Sequence, residues 1–205
     1  ICTEERVIRK GIMNAEIVEC FAETVRKYPD KTALVDKGNS ISWEQLDEKT
    51  EYLADFFKSI GVGSGTHTGI CCGSNFQWVC SFLALQKTGA VAVLINPRCT
   101  IKEIEQQVQI GDVDFLCCDD RVKEEICDNI CGFRYVVQEG KESNVCMNGF
   151  AGLHLLQKHG RGEDRQKSRR VLHKFQPGVC SPYTACMVFT SGSVARPKAV
   201  MLAHD

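Results

Sequence analysis

The strongest constraint on this chain is an alternation of two hydrophobic periods. Apolar runs of strand length, His67–Cys72, Gly89–Ile95 and Asp114–Cys118, alternate with segments whose apolar residues recur at helical spacing. Residues 13–27 carry Ile17, Phe21 and Val25 on one stripe and stop before Pro29. Thr32–Asp36 reads as a short strand, followed by a turn around Gly38–Asn39. Ser42 opens a helix with Gln45 in the capping-box position, where two free amides can be satisfied reciprocally. Leu46, Leu53, Phe56, Phe57 and Ile60 line its inner side, and Gly61 stops it. Ser74 with Gln77 starts a helix that runs to about Thr88, with Val79, Phe82, Leu83 and Leu85 inward. Thr100 with Glu103 starts another, which Gly111 ends. Lys123–Ile130 is a weaker helix, Phe133–Val137 a strand, Phe150–Lys158 a short helix, and Ala185–Thr190 a strand. Strands apolar on both faces, separated by amphipathic helices, predict an α/β fold: a mainly parallel sheet flanked by helices, with right-handed crossovers.

Charge and composition narrow the function. The 205 residues carry a formal net charge of -1, which gives no overall pull toward nucleic acid or an anionic membrane. The longest apolar run, Ala90–Ile95, is far short of the roughly 20 residues that a membrane helix needs. A basic stretch from Lys158 through Arg161, Arg165, Lys167, Arg169 and Arg170 to Lys174 is broken by Glu163 and Asp164. It interleaves no aromatic residue, so it reads as a solvated loop and no nucleic-acid partner is expected. Thirteen cysteines are an odd number, two pairs are adjacent within buried runs (Cys71–Cys72 and Cys117–Cys118), and C-x-x-C is absent. Cys127 and Cys131 can share a helix face but have no second ligand pair, so no metal site is expected. Free thiols acting as small hydrophobes suit a reducing cytoplasm. Cys2–Arg9 is too charged for a signal-peptide core. A start at Ile1 and a stop at Asp205 suggest truncation at both ends.

The chemistry concentrates in Val188-Phe189-Thr190-Ser191-Gly192-Ser193-Val194-Ala195-Arg196-Pro197-Lys198-Ala199-Val200. A strand ends at Thr190, and a short polar loop leads into another apolar run. Hydroxyls on Thr190, Ser191 and Ser193 can donate to phosphate oxygens, Gly192 lets the backbone approach closely, and Lys198 supplies positive charge. The loop is not a Walker A motif. With Gly192 as the first glycine, Pro197 replaces the second and Ala199 replaces the magnesium-binding Ser or Thr. On chemistry alone, a phosphate cradle and a Ser/Gly surface turn stand level.

The segment resembles the signature loop of adenylate-forming enzymes (AMP-dependent synthetases and ligases, including acyl-CoA synthetases), [YF]-T-S-G-[ST]-T-G-x-P-K-G-V followed by His. Phe189, Thr190, Ser191, Gly192, Ser193, Pro197, Lys198, Val200 and His204 match. Leu85-Gln86-Lys87-Thr88-Gly89-Ala90 through Asn96-Pro97-Arg98 is similar to the family's L-x-K-x-G-A…N-P-R block, and Ile41–Leu46 to its [LIF]-[ST]-[YW]-x-[EQ]-L block. These two blocks read as scaffold. The likeness is clearest over 18–137 and 185–205, with 138–184 weakly patterned. It implies that residues 1–205 are the first part of a large N-terminal domain, with the acid pocket, the adenine contacts and the catalytic Lys of a C-terminal domain lying downstream. This stretch alone would then be inactive, with no catalytic residue of its own.

The resemblance also implies an ATP-dependent ligase that joins a carboxylic acid to AMP and passes the acyl group to a thiol, first of all CoA. Thr190, Ser191, Gly192, Ser193 and Lys198 would hold the ATP phosphates, with Mg²⁺ screening the triphosphate. The alternatives are an amino-acid-adenylating domain of a peptide synthetase, with a carrier protein as partner, or a non-catalytic nucleotide-binding relative. A flavodoxin-like domain would need a phosphate loop after the first strand, where there is none. Val194 stands where the family has Thr, Ala195 where it has a Gly, and Ala199 where it has the last Gly. The first change removes a hydroxyl and the second disfavours positive φ, so both weaken the expected grip on ATP.

Overall fold

The computed structural model describes residues 15–120, 122, 133–135, 153–158, 184–190 and 197–204. Helix α1 (Ala15–Lys27) leads into a hairpin of β1 (Thr32–Asp36) and β2 (Asn39–Ser42). Lys37 and Gly38 form its two-residue turn, both at positive φ (48° and 84°), which matches the twist of the flanking strands. This second strand was not expected, because Asn39–Ser42 carries little apolar signal of its own.

There follow α2 (Trp43–Ser59), β3 (His67–Cys71), α3 (Phe76–Thr88), β4 (Val91–Leu94), α4 (Ile101–Ile110) and β5 (Phe115–Asp119). Then come β6 (Phe133–Tyr135), β7 (Leu153–Lys158), β8 (Thr184–Thr190) and β9 (Lys198–Ala203). Two capping boxes form as expected. Gln45 Oε1 accepts the Ser42 amide at 3.0 Å, and Ser42 Oγ accepts the Gln45 amide at 3.2 Å. Glu103 Oε2 accepts the Thr100 amide at 2.8 Å. The third does not form. Asn75, not Ser74, caps α3, with its Oδ1 accepting the Trp78 amide at 3.1 Å.

Among the described residues, seven strands form one sheet in the order β6-β7-β5-β3-β4-β8-β9. The four central strands β5, β3, β4 and β8 are parallel neighbours, while β7, β6 and β9 extend the sheet antiparallel. β3 passes to β4 on one side, and β4 returns across it to β5. Two crossovers of one hand running in opposite directions must lay their helices on opposite faces. The packing agrees. One core joins α1, α2 and α3 to Ile70, Ala92, Phe115 and Cys117, and the other joins α4 to Cys71, Val93, Leu116 and Cys118. Burial on both faces is why these strands read as continuous apolar runs.

The helix expected over 150–158 is corrected: Leu153–Lys158 is the strand β7, paired antiparallel with both β5 and β6. Leu153, His154, Leu155 and Leu156 are all buried, so the run carries neither a clear two-residue nor a clear helical period. On α3 the most buried residues are Cys80, Ser81, Ala84, Leu85 and Gln86, whereas Val79, Phe82 and Leu83 are half-buried. Small residues let α3 sit close on the sheet. The helix expected at Lys123–Ile130, the pair Cys127 and Cys131, and the basic stretch after Lys158 lie outside the described residues.

Lys87, at the end of α3, ties the helical layer together. Its Nζ meets Asp47 Oδ1 at 2.7 Å and Glu51 Oε2 at 2.8 Å on α2, and lies 5.5 Å from the Phe21 ring centroid on α1. Its partners are about half-exposed, so solvent screens the pairs. Lys87→Ala is expected to cost about 1 kcal/mol in urea unfolding, and Lys87→Met somewhat less because the stem still packs.

Candidate active site at the carboxyl edge of the sheet

In open α/β sheets, ligands bind outside the carboxyl ends of the parallel strands. Four described segments meet that edge: 72–75 after β3, 96–100 after β4, Asp120 after β5, and the end of β8. β8 is held between parallel β4 and antiparallel β9, and its start is tied to α3 by a buried bond from Gln86 Nε2 to the Ala185 carbonyl at 3.2 Å. The chain leaves this edge at Thr190 and returns at Pro197.

Thr190 and Lys198 are direct partners across the β8–β9 ladder. Opposed residues of an antiparallel pair project to the same face, so the hydroxyl and the ammonium emerge side by side. Both residues are exposed. The same register puts Cys186, Val188, Leu202 and Val200 on that face, while Met187, Phe189 and Met201 pack into the core shared with α4. Lys198 forms no ion pair among the described residues, so its charge is open to an anion. Ser191, Gly192 and Ser193, with Val194, Ala195 and Arg196, lie outside the described residues. The structure thus brings Thr190 and Lys198 together.

Other constellations at this edge are already occupied. Asp119 accepts the Gly73 amide at 3.2 Å and the Val122 amide at 3.1 Å, pinning the turn after β3 to the end of β5. The next residue, Asp120, meets buried His154 Nε2 at 2.6 Å. This pair is not legible in the sequence, whose pattern puts His154 on a helix and not beside β5. A cleft of about 360 Å³ lies between β1 and the start of α3, lined by Leu34, Val35, Asp36, Asn75, Phe76 and Trp78. Its single carboxylate, Asp36, already accepts the Phe76 amide at 3.4 Å. Among the described residues no group of three or more His, Cys, Asp or Glu could hold a metal ion.

None of the eight described thiols is joined in a disulfide, and six of them are buried. Burial pushes Cys72 up to about 12, with the Asp119 carboxylate adding to the rise. Burial likewise takes Cys80 to about 12, against an opposing pull from Lys49, and raises Cys117 and Cys186. A thiol titrating near 12 is ionised at pH 8 to on the order of one part in ten thousand. Iodoacetamide followed by peptide mass spectrometry should therefore modify exposed Cys20 within minutes and leave Cys72, Cys80 and Cys117 unmodified until the chain unfolds.

Comparison with known proteins agrees with this architecture. The sequence pattern of the AMP-binding enzyme family matches residues 21–205. The nonribosomal peptide synthetase agiA of Aspergillus flavus is 24% identical over 191 residues, covering 93% of this chain and 2% of that protein. Bacitracin synthase 3 of Bacillus licheniformis is 23% identical over 186 residues, covering 91% of this chain and 3% of that protein. The chain therefore spans a small fraction of the length of these curated relatives. Among solved structures, the NpsA N-terminal subdomain of Klebsiella oxytoca aligns with a TM-score of 0.62 at 22% identity, over 92% of this chain and 42% of that one. The o-succinylbenzoate CoA synthetase MenE of Bacillus subtilis aligns with a TM-score of 0.61 at 16% identity, over 90% and 42%. The solved structures share the fold, and the sequence match over residues 21–205 makes the chain a member of the AMP-binding, adenylate-forming enzyme family.

Proposed function

We propose that the protein takes part in ATP-dependent activation of a carboxylic acid, with the β8–β9 turn as the seat of the triphosphate. The observation that carries this is the pairing of Thr190 with Lys198 at the carboxyl edge of the sheet. In this reading Lys198 and the Thr190 hydroxyl hold the β- and γ-phosphates, joined by Ser191, Ser193 and the Gly192 backbone. The acid's carboxylate attacks the α-phosphorus, the bond to the bridging oxygen breaks, and acyl-AMP and pyrophosphate form. Negative charge accumulates on the departing pyrophosphate, so a fixed ammonium beside it stabilises the transition state more than the ground state. Mg²⁺ carried on the triphosphate would screen its charge, and no described residue is assigned to hold it. Contacts to adenine, ribose and acid are assigned to no residue here.

The acyl group then passes to a thiol. The relatives include the nonribosomal peptide synthetase agiA and bacitracin synthase 3, and a structural neighbour is an artificially fused adenylation–PCP di-domain, which supports a carrier-protein thiol as acceptor. The CoA acceptor expected from sequence differs only in this second step. That the described cysteines form no disulfide supports a reducing compartment, the cytoplasm.

Pyrophosphate exchange into ATP, run on the full-length protein over a panel of aliphatic, aryl and amino acids, tests the first step. The reading predicts exchange that depends on one class of acid. No exchange with any acid, restored by Val194→Thr with Ala195→Gly, would identify a non-catalytic relative instead. Incubation of the active acid with either a phosphopantetheinylated carrier protein or CoA then decides the acceptor.

A further inference from the structure

We propose that Arg98 is a second cation of the triphosphate site, reaching the terminal phosphates from the turn after β4. The inference rests on the reading of the β8–β9 turn as the polyphosphate site. β4 and β8 run parallel, with Leu94 opposite Val188, so both chains leave the sheet at one edge. Asn96 lies two residues beyond Leu94, and Thr190 two beyond Val188, on these neighbouring strands. There the chain turns tightly. The Asn96 carbonyl accepts the Cys99 amide at 3.1 Å, and Asn96 Oδ1 accepts the Arg98 amide at 3.0 Å. The far side of the turn is anchored as well: Cys99 and Ile101 pack on the same core as Phe189 and Met201. Phe189 precedes Thr190, and Met201 lies three residues past Lys198. The turn that carries Arg98 and the base of the hairpin thus leave the sheet at the same edge and pack on one core.

Charge supports the placement. Arg98 is exposed and forms no ion pair among the described residues. The nearest acid in sequence, Glu103, is occupied: its Oε2 accepts both the Thr100 amide and the Thr100 hydroxyl at 2.8 Å. It is committed to the cap and does not neutralise Arg98. Lys198 leaves β9 on the face of the α1–α3 layer, whereas the turn carrying Arg98 leads to α4 on the other face. An anion between the two turns would meet a cation from each side. A guanidinium offers two parallel donors in a rigid fork that matches two phosphate oxygens, whereas the Lys198 ammonium acts as a point charge. A surface arginine in solvent is the plain alternative, and the two differ in ligand selectivity.

The test compares dissociation constants for ATP and AMP, by calorimetry on the full-length protein, among wild type, Arg98→Ala, Arg98→Lys and Lys198→Ala. The expected result is that Arg98→Ala weakens ATP about tenfold or more while AMP binds as before. Arg98→Lys should restore part of the loss, and Lys198→Ala should show the same selectivity. If Lys198→Ala loses ATP affinity and Arg98→Ala keeps it, the proposal falls and the phosphate site stands. An equal loss of ATP and AMP in Arg98→Ala also overturns it, because the residue then acts through the fold. If neither variant changes ATP binding, both readings fall.

Discussion

Phe115→Ala should lower the unfolding free energy by about 3–5 kcal/mol, the range for removing a fully enclosed phenyl ring. Phe115 opens β5, has no solvent exposure, and is among the largest fully buried side chains. It sits beside Thr68 on β3 and Gln157 on β7, and faces the core shared with α1–α3. The elements around it are pinned: Asp114 Oδ2 accepts the His67 amide at 3.2 Å, and His67 Nδ1 meets the Gly111 carbonyl at 2.7 Å. They cannot collapse far into the space left, so most of the cavity cost should remain. Urea unfolding with an unchanged m-value would confirm this, and a loss below about 1 kcal/mol would show that the site repacks.

Gly69→Val should be comparably damaging for the opposite reason. Gly69 lies in the middle of β3, between Val93 and Leu116. A Cβ there would stand 2.6 Å from Leu116 Cδ1, 3.2 Å from Ile95 Cδ1 and 3.3 Å from Val113 Cγ1. Alanine forces the Leu116 tip aside, at about 1–3 kcal/mol, and the two further methyls of valine should push the loss to the top of that range or beyond. Because the nearest obstacle is one flexible side chain, Leu116→Ala should be less harmful in the Gly69→Val background than in wild type. A double-mutant cycle that shows simple additivity would mean the obstruction lies elsewhere.

The contrast between these positions shows which parts of the fold are written locally. The Ser42/Gln45 and Thr100/Glu103 boxes form as read, because a cap is decided within four residues. At α3 two cap-forming residues stand side by side, and the next-door Asn75 wins over Ser74. β7 was misread because Leu153–Leu156 is buried on both faces, and its partners β5 and β6 are distant in sequence. The inner face of α3 was misjudged because periodicity favours bulk, whereas close packing selected Cys80 and Ala84.

The site divides in the same way. Thr190 and Lys198 were legible as residue types, but their opposition depends on strand register, which only the sheet supplies. Asn96–Arg98 read as scaffold. Its place beside β8 follows from parallel pairing across some ninety residues of chain, which no local signal encodes. The acid substrate left no trace in either.

The most direct test titrates ATP into the full-length protein and its Lys198→Ala variant at matched magnesium and salt. A phosphate site built on the β8–β9 turn predicts measurable wild-type affinity that falls about tenfold or more in the variant, with AMP affinity preserved. Equal ATP affinity in the two proteins would contradict it.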